Sequence, residues 1–286
     1  MRKILIQLDI DTCASVFDAI AAYDAGVDRI LQYDQVTPND VRDLVYGAMF
    51  TRGGKDLKNS AVFIGGSDVT NGEAILMAAQ AAFFGPVRVS LMFDANGCNT
   101  TAAAAVAKIL SKGDVAGKKV VVLAGTGPVG LRAGALLAKE GAQVTLTSRS
   151  LKSAEVACTS VKERFGVEVI PSAAADAEAI RRVLDEAYAA LCSGAAGIML
   201  IPESIWAEHP TLSVLADVNA VPPLGIEGIK ATWDGQEKQG KVIFGALGIG
   251  GLKMKIHHAC VARLFDQNDL VLDAEEIYAT TKEVVR

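Results

Sequence analysis

The feature that most restricts this chain is the stretch KKVVVLAGTGPVGLRAGALLAKEGAQVTL, residues 118–146. An apolar β-branched run leads into Gly125, Gly127 and Gly130 in G-x-G-x-x-G spacing, and an alanine- and leucine-rich segment follows. Three glycines alone are a common accident. Set between a strand and a helix, they predict a dinucleotide-binding turn. In this reading Gly125 permits the tight turn, Gly127 lets a pyrophosphate approach the backbone, and Gly130 lets the helix lie close to the strand. Pro128 suits the first helical turn, where a missing N–H costs nothing. Thr126 and Val129 complete the loop, whose N–H groups at the positive helix end favour a phosphate.

The same unit chooses between cofactors about twenty residues later. A carboxylate at the end of the next strand would accept hydrogen bonds from a ribose 2′-hydroxyl, whereas a cationic corner accommodates a 2′-phosphate. This chain has VTLTSRS at 144–150, with Ser148, Arg149 and Ser150 where the acid would stand and Lys152 close behind. A guanidinium can grip two phosphate oxygens, so NADP is the favoured cofactor. Arg149 as a solvated surface charge, or stacked on adenine without discriminating, is the competing reading.

Around this unit, short β-rich runs alternate with alanine-rich helical stretches, which predicts parallel sheets covered by helices. Strands are expected over 3–8, 29–33, 60–66, 87–93, 118–125, 142–148, 168–171, 189–194, 197–202, 212–218 and 242–247. Helices are expected over 15–26, 40–50, 72–84, 99–112, 128–141, 151–165, 176–188, 255–266 and 273–285, the last with Asp273 as N-cap. A length of 286 residues, 51% of them hydrophobic, suits two modest α/β domains. The boundary is expected in the helix around 100–112, and a glycine-rich segment near 245 returns the chain to the first domain. The first domain is then 1–105 with the C-terminal helices 250–286, and the Rossmann-type dinucleotide domain is 106–249.

A net charge of −5 and no cluster of five or more basic residues argue against nucleic acid or an anionic membrane as partner. No stretch approaches the roughly 20 apolar residues of a membrane span. Five scattered cysteines without a C-x-x-C pair fit a reducing compartment, and a cytoplasmic protein is expected. His257 and His258 are adjacent, lack metal-ligand spacing and read as structural; no metal site is expected.

Several polar stretches resemble a known family when taken with the glycine loop. FTRGGK (50–55), NTTAAA (99–104), VVLAGTGPVG (121–130), PPLGI (222–226), FGALGIGGLK (244–253) and DAEEIY (273–278) resemble the methylene-tetrahydromethanopterin dehydrogenases of one-carbon metabolism, over nearly the whole chain. The resemblance implies an oxidoreductase that passes a hydride from a methylene pterin to NAD(P), in a cleft between the two domains, with methylene-tetrahydrofolate as a possible second substrate. The methylene carbon lies between two nitrogens whose lone pairs stabilise the cation left behind, so positioning should dominate over acid–base chemistry. Asp11, Asp94, Asn96 and Asn99 become candidate substrate contacts, with Thr12, Thr100 and Thr101 secondary. Asp11 and Asp94 serve equally as turn residues, and Thr100 and Thr101 as helix caps. Lys253 or Lys255 enters the cleft, since residues two apart project differently; Lys253, adjoining the glycines, is favoured. A homo-oligomer is the expected assembly. A non-catalytic NADP sensor and a shikimate-type dehydrogenase are the competing functions.

Overall fold

The computed structural model describes residues 1–286. Two compact units are present, Met1–Thr100 with Met254–Arg286, and Thr101–Lys253. In the first unit the elements are β1 (Ile4–Leu8), α1 (Val16–Asp24), β2 (Arg29–Tyr33), α2 (Pro38–Phe50), β3 (Ser60–Ile64), α3 (Val69–Ala81), β4 (Ser90–Phe93) and the start of α4 (Cys98–Leu110). The second holds β5 (Lys119–Leu123), α5 (Pro128–Lys139), β6 (Gln143–Ser148), α6 (Leu151–Phe165), β7 (Ile170–Ala173), α7 (Ala177–Leu184), β8 (Ala189–Cys192), α8 (Glu203–Trp206), β9 (Val214–Asp217), β10 (Asp234–Lys238) and β11 (Lys241–Phe244). Helix α9 (Ala246–Arg263) carries the chain back into the first unit, which β12 (Val271–Leu272) and α10 (Ala274–Val284) complete.

The first sheet is parallel throughout, in the order β12-β4-β3-β1-β2. Strands β3 and β4 are buried along their length, as their continuous apolar sequences require of central strands covered on both faces. Helix starts carry their own signals. Ser15 caps α1, Asp68 caps α3, and Asp40 accepts from the backbone N–H of Thr37 at 2.9 Å at the head of α2. Strand order reverses between β1 and β3, the kind of point beside which open α/β sheets bind ligands.

In the second unit the order β7-β6-β5-β8-β9-β11 is the doubly wound arrangement, with β10 added antiparallel at the edge. Its core gathers Val121, Leu184, Leu215, Ile243 and the fully buried Trp206, whose indole N–H donates to the Glu227 carbonyl at 3.0 Å.

Two expectations from the sequence fail and one strand is missed. Residues 197–202 are not a strand: only Ile201 makes an isolated bridge, to Ile226, while Ile198 and Met199 are exposed. The polar β10 escapes a pattern search because it is an edge strand, paired through the tight turn at Gln239 and Gly240, both at positive φ. The glycine-rich segment before Lys253 is the first part of α9 rather than a loop. Gly245 and Gly248 are there because the backbone of 230–234 passes against them; a side chain at Gly248 would run into Trp233 and Asp234. The return crossing accordingly falls inside a helix, after Lys253.

Candidate functional site

The glycine loop leaves β5 at the reversal of strand order between β5 and β8. Its left-handed residue is Ala124, at φ 50°, and not the first glycine. Gly125 is required by space instead, since a Cβ there would lie 2.8 Å from Leu146 and 2.9 Å from Val122. Gly130 is tighter still: its Cβ would sit 2.5 Å from the Gly125 Cα and 2.6 Å from the Ser193 hydroxyl. Gly127 is the N-cap of α5 with Pro128 at the first helical position, and nothing lies within 4 Å of where its Cβ would be. That open space beside the free N–H groups of the first turn, including those of Val129 and Gly130, is the shape a pyrophosphate fills. The Ala124 N–H donates to the Thr147 hydroxyl at 3.1 Å and that of Gly125 to the Thr147 carbonyl at 2.9 Å, which pins the loop to β6. Thr126 is half-buried within it.

Ser148 ends β6 half-buried, and Arg149, Ser150 and Lys152 follow it exposed. Ser150 is the N-cap of α6; its hydroxyl accepts from the Ser153 N–H at 3.2 Å and lies 2.8 Å from the Ser153 hydroxyl. This corner therefore joins an exposed guanidinium to a second helix N-terminus, both attractive to an anion.

Ser193 follows β8 and donates to the Leu123 carbonyl at 3.1 Å. Asp217 ends β9 almost fully buried and accepts from the backbone N–H groups of Asn219 and Ile226 at 2.9 and 3.2 Å. Burial raises its pKa above the usual carboxylate range, against the opposing pull of these backbone bonds. Asp217 and Asn219 stand in a stretch whose polarity the sequence displays, but nothing in the pattern singles them out.

In the first unit, Asp11 lies at the reversal between β1 and β3. Its carboxylate accepts from the Ser67 N–H at 2.9 Å and the Ser67 hydroxyl at 2.6 Å, joining the loops after the two strands. Beneath it the buried Asp9, which sequence reasoning passed over, takes the N–H groups of Asp11 and Ser15 at 3.0 and 2.9 Å. Thr12 and Asn96 are exposed, the latter at φ 53° in the turn after β4. Thr101 is half-buried at the start of the second unit.

Asp94, Asn99 and Thr100 are corrected by the structure. At 3%, 0% and 0% exposure they are internal. Asp94 accepts from the N–H groups of Asn99 and Thr100 at 2.9 and 3.0 Å and from the Thr100 hydroxyl at 2.6 Å. Asn99 donates to the Phe93 carbonyl at 2.6 Å and to Asp273 at 2.9 Å. These groups shape the β4–α4 turn and have no free face for a substrate. His257 packs on Phe63, ring centres 5.5 Å apart, with its Nδ1 3.4 Å from the Asp94 carboxylate. Lys253 precedes His257 by one helical turn on the same side of α9 and is half-buried, whereas Lys255 is exposed.

Residues 16–96 match the family model described as methylene-tetrahydromethanopterin dehydrogenase, N-terminal. The chain is 49% identical over 285 residues to the bifunctional protein MdtA of Methylorubrum extorquens, covering 99% of each. It is 31% identical to the NAD(P)-dependent methylenetetrahydromethanopterin dehydrogenase of the same organism, again over 99% of each. Among solved structures, 5-ketofructose reductase of Gluconobacter superposes with a TM-score of 0.54 at 16% identity, covering 99% of both chains. Shikimate 5-dehydrogenase of Listeria monocytogenes does so with 0.53 at 14%, over 100% of this chain and 96% of the other, a likeness of fold alone. Full-length identity at these levels, joined to a doubly wound unit whose glycine loop leaves room for a pyrophosphate, shows that the chain belongs to the methylenetetrahydromethanopterin dehydrogenase family.

Proposed function

We propose that the protein oxidises the methylene bridge of a reduced pterin of the tetrahydromethanopterin type to the methenyl form, with NADP as hydride acceptor. The observation that carries this reading is the identity, over 99% of both chains, to an NAD(P)-dependent methylenetetrahydromethanopterin dehydrogenase. The open space at Gly127 supports a bound dinucleotide, and the exposed Arg149 at the head of α6 supports the 2′-phosphate form.

NADP, when bound, supplies the nicotinamide carbon that takes the hydride. The α5 N-terminus holds the pyrophosphate, and Arg149, Ser148 and Lys152 with the α6 N-terminus hold the 2′-phosphate. Asp11, Thr12 and Asn96, at the strand-order reversal of the first unit and the turn beside it, offer acceptors and donors to the pterin. Lys253 holds the pterin at a carbonyl edge, away from the carbon that becomes cationic, because an ammonium beside that carbon would oppose hydride loss. No proton moves in this step, so no side chain need act as base.

The reading extends to assembly and compartment. Edge strand β2 leaves Leu31 and Tyr33 exposed beside a groove of about 440 Å³, which supports self-association of the chain. All five cysteines are free thiols, which supports a reducing compartment such as the cytoplasm.

Steady-state assays with methylene-tetrahydromethanopterin and methylene-tetrahydrofolate, each with NADP and NAD, test the proposal. The expected outcome is turnover with both pterins or with the first alone, and a higher kcat/KM with NADP. Cofactor binding without turnover of either pterin would instead favour a sensor.

A further inference from the structure

The loop after β9 is built with more internal bracing than a connection requires. Asp217 is 1% exposed. Its acceptors are filled by backbone N–H groups, and Gly225 approaches so closely that a Cβ there would lie 2.7 Å from its Oδ1 and 3.0 Å from the Cys192 Cβ. Asn219 continues the bracing: its Oδ1 accepts from the Val221 N–H at 2.9 Å and its Nδ2 donates to the Pro223 carbonyl at 3.1 Å. Burying a carboxylate is costly unless hydrogen bonds offset the lost solvation, and the bonds that do so here also hold the loop. What they fix here is a loop whose tip leaves Val221 51% exposed.

The neighbouring loop after β8 repeats the pattern. Ile198 and Met199 are 52% and 41% exposed. The two loops meet, since a Cβ on Gly197 would be 3.7 Å from the Pro222 carbonyl and the N–H groups of Leu200 and Ile201 both donate to the Gly225 carbonyl. The β8 loop also reaches the glycine loop, where a Cβ on Gly194 would lie 3.5 Å from that of Ala124. Three large apolar side chains thus stand exposed at the carboxyl ends of β8 and β9, on the opposite side of the strand-order reversal from Arg149. A dinucleotide lies across that reversal with one nucleotide on each side. With its adenosine 2′-phosphate at β6, its nicotinamide falls to β8 and β9.

We propose that Asp217 is a positioning residue for the nicotinamide end of the site, bracing the 219–225 loop so that Val221, with Ile198 and Met199, forms an apolar wall against the ring. The assignment rests on the dinucleotide reading above. It goes beyond that reading by separating the residues that hold the two ends of the cofactor.

Adenosine 2′,5′-bisphosphate, which has only the adenosine end, and NADPH distinguish the ends by calorimetry. Asp217→Asn keeps the shape but removes two acceptor lone pairs and the charge, so NADPH should weaken about tenfold while the bisphosphate stays within roughly twofold of wild type. Its kcat should fall by a larger factor than the KM for the pterin rises. Val221→Ala, at an exposed position, should weaken NADPH without changing the thermal midpoint or bisphosphate affinity, and it keeps the test sound if the Asp217 variant unfolds. Equal weakening of both ligands in Asp217→Asn, or unchanged NADPH affinity in Val221→Ala, overturns the assignment. Failure of the wild-type protein to bind either ligand overturns the dinucleotide reading itself, and this assignment with it.

Discussion

Beyond β6 the side chains of Arg149 and Lys152 are exposed while Ser150 between them caps a helix, so the guanidinium and the ammonium are the cations of that corner. Arg149→Ala should weaken NADP about ten- to a hundredfold, the range for losing a charge-assisted hydrogen bond, and leave NAD nearly unchanged. An unaltered ratio of the two dissociation constants would refute the role. Lys253 and Lys255 make a second comparison. Lys253→Met should depress kcat/KM for the pterin with NADP affinity intact and without removing a basic limb from the pH–rate profile, and Lys255→Met should do much less. Equal activity in the two variants would reject the positioning role. Residues such as Arg149 are legible in the sequence because their meaning depends on a spacing from the glycine loop. Asp94, Asn99 and Thr100 are not, because their burial is decided by Asp273 and His257, which come from the far end of the chain.

The elements around the site repeat one device. Asp9, Asp94 and Asp217, following or closing β1, β4 and β9, are each buried and gather backbone N–H groups of the segment that follows. A carboxylate there trades desolvation for a fixed loop. Glycines divide in the same way between packing and ligand space. Gly130→Ala would press a Cβ onto Gly125 and Ser193 and should destabilise the fold by about 1–3 kcal/mol, the usual range for overpacking. Gly127→Val enters open space and should abolish dinucleotide binding with the thermal midpoint retained. Thermal melts and titrations of the two variants check the contrast; a folded Gly127→Val that still binds NADP would contradict it. The spacing, set between a strand and a helix, marked these glycines. That of α9 misled, since glycine disfavours helix, and the approach of 230–234 accounts for Gly248 there and for Gly245 just before it.

Across the whole molecule, alternating strands and helices established the α/β class, and the glycine loop located the dinucleotide unit. Strand order in the first sheet was not legible, because parallel pairing links segments far apart and β12 contributes only two residues to the edge. That order puts Asp11 at the β1–β3 reversal, as the second sheet puts Gly127 at the β5–β8 reversal. The proposed reaction requires that the pterin surrender its hydride directly to the nicotinamide. Methylene-tetrahydromethanopterin deuterated at the bridging carbon tests this most directly, with the NADPH formed analysed by NMR. One deuterium at C4 of the nicotinamide, on a single face, is the predicted result. NADPH without label, or no reduction of NADP at all, would contradict the account.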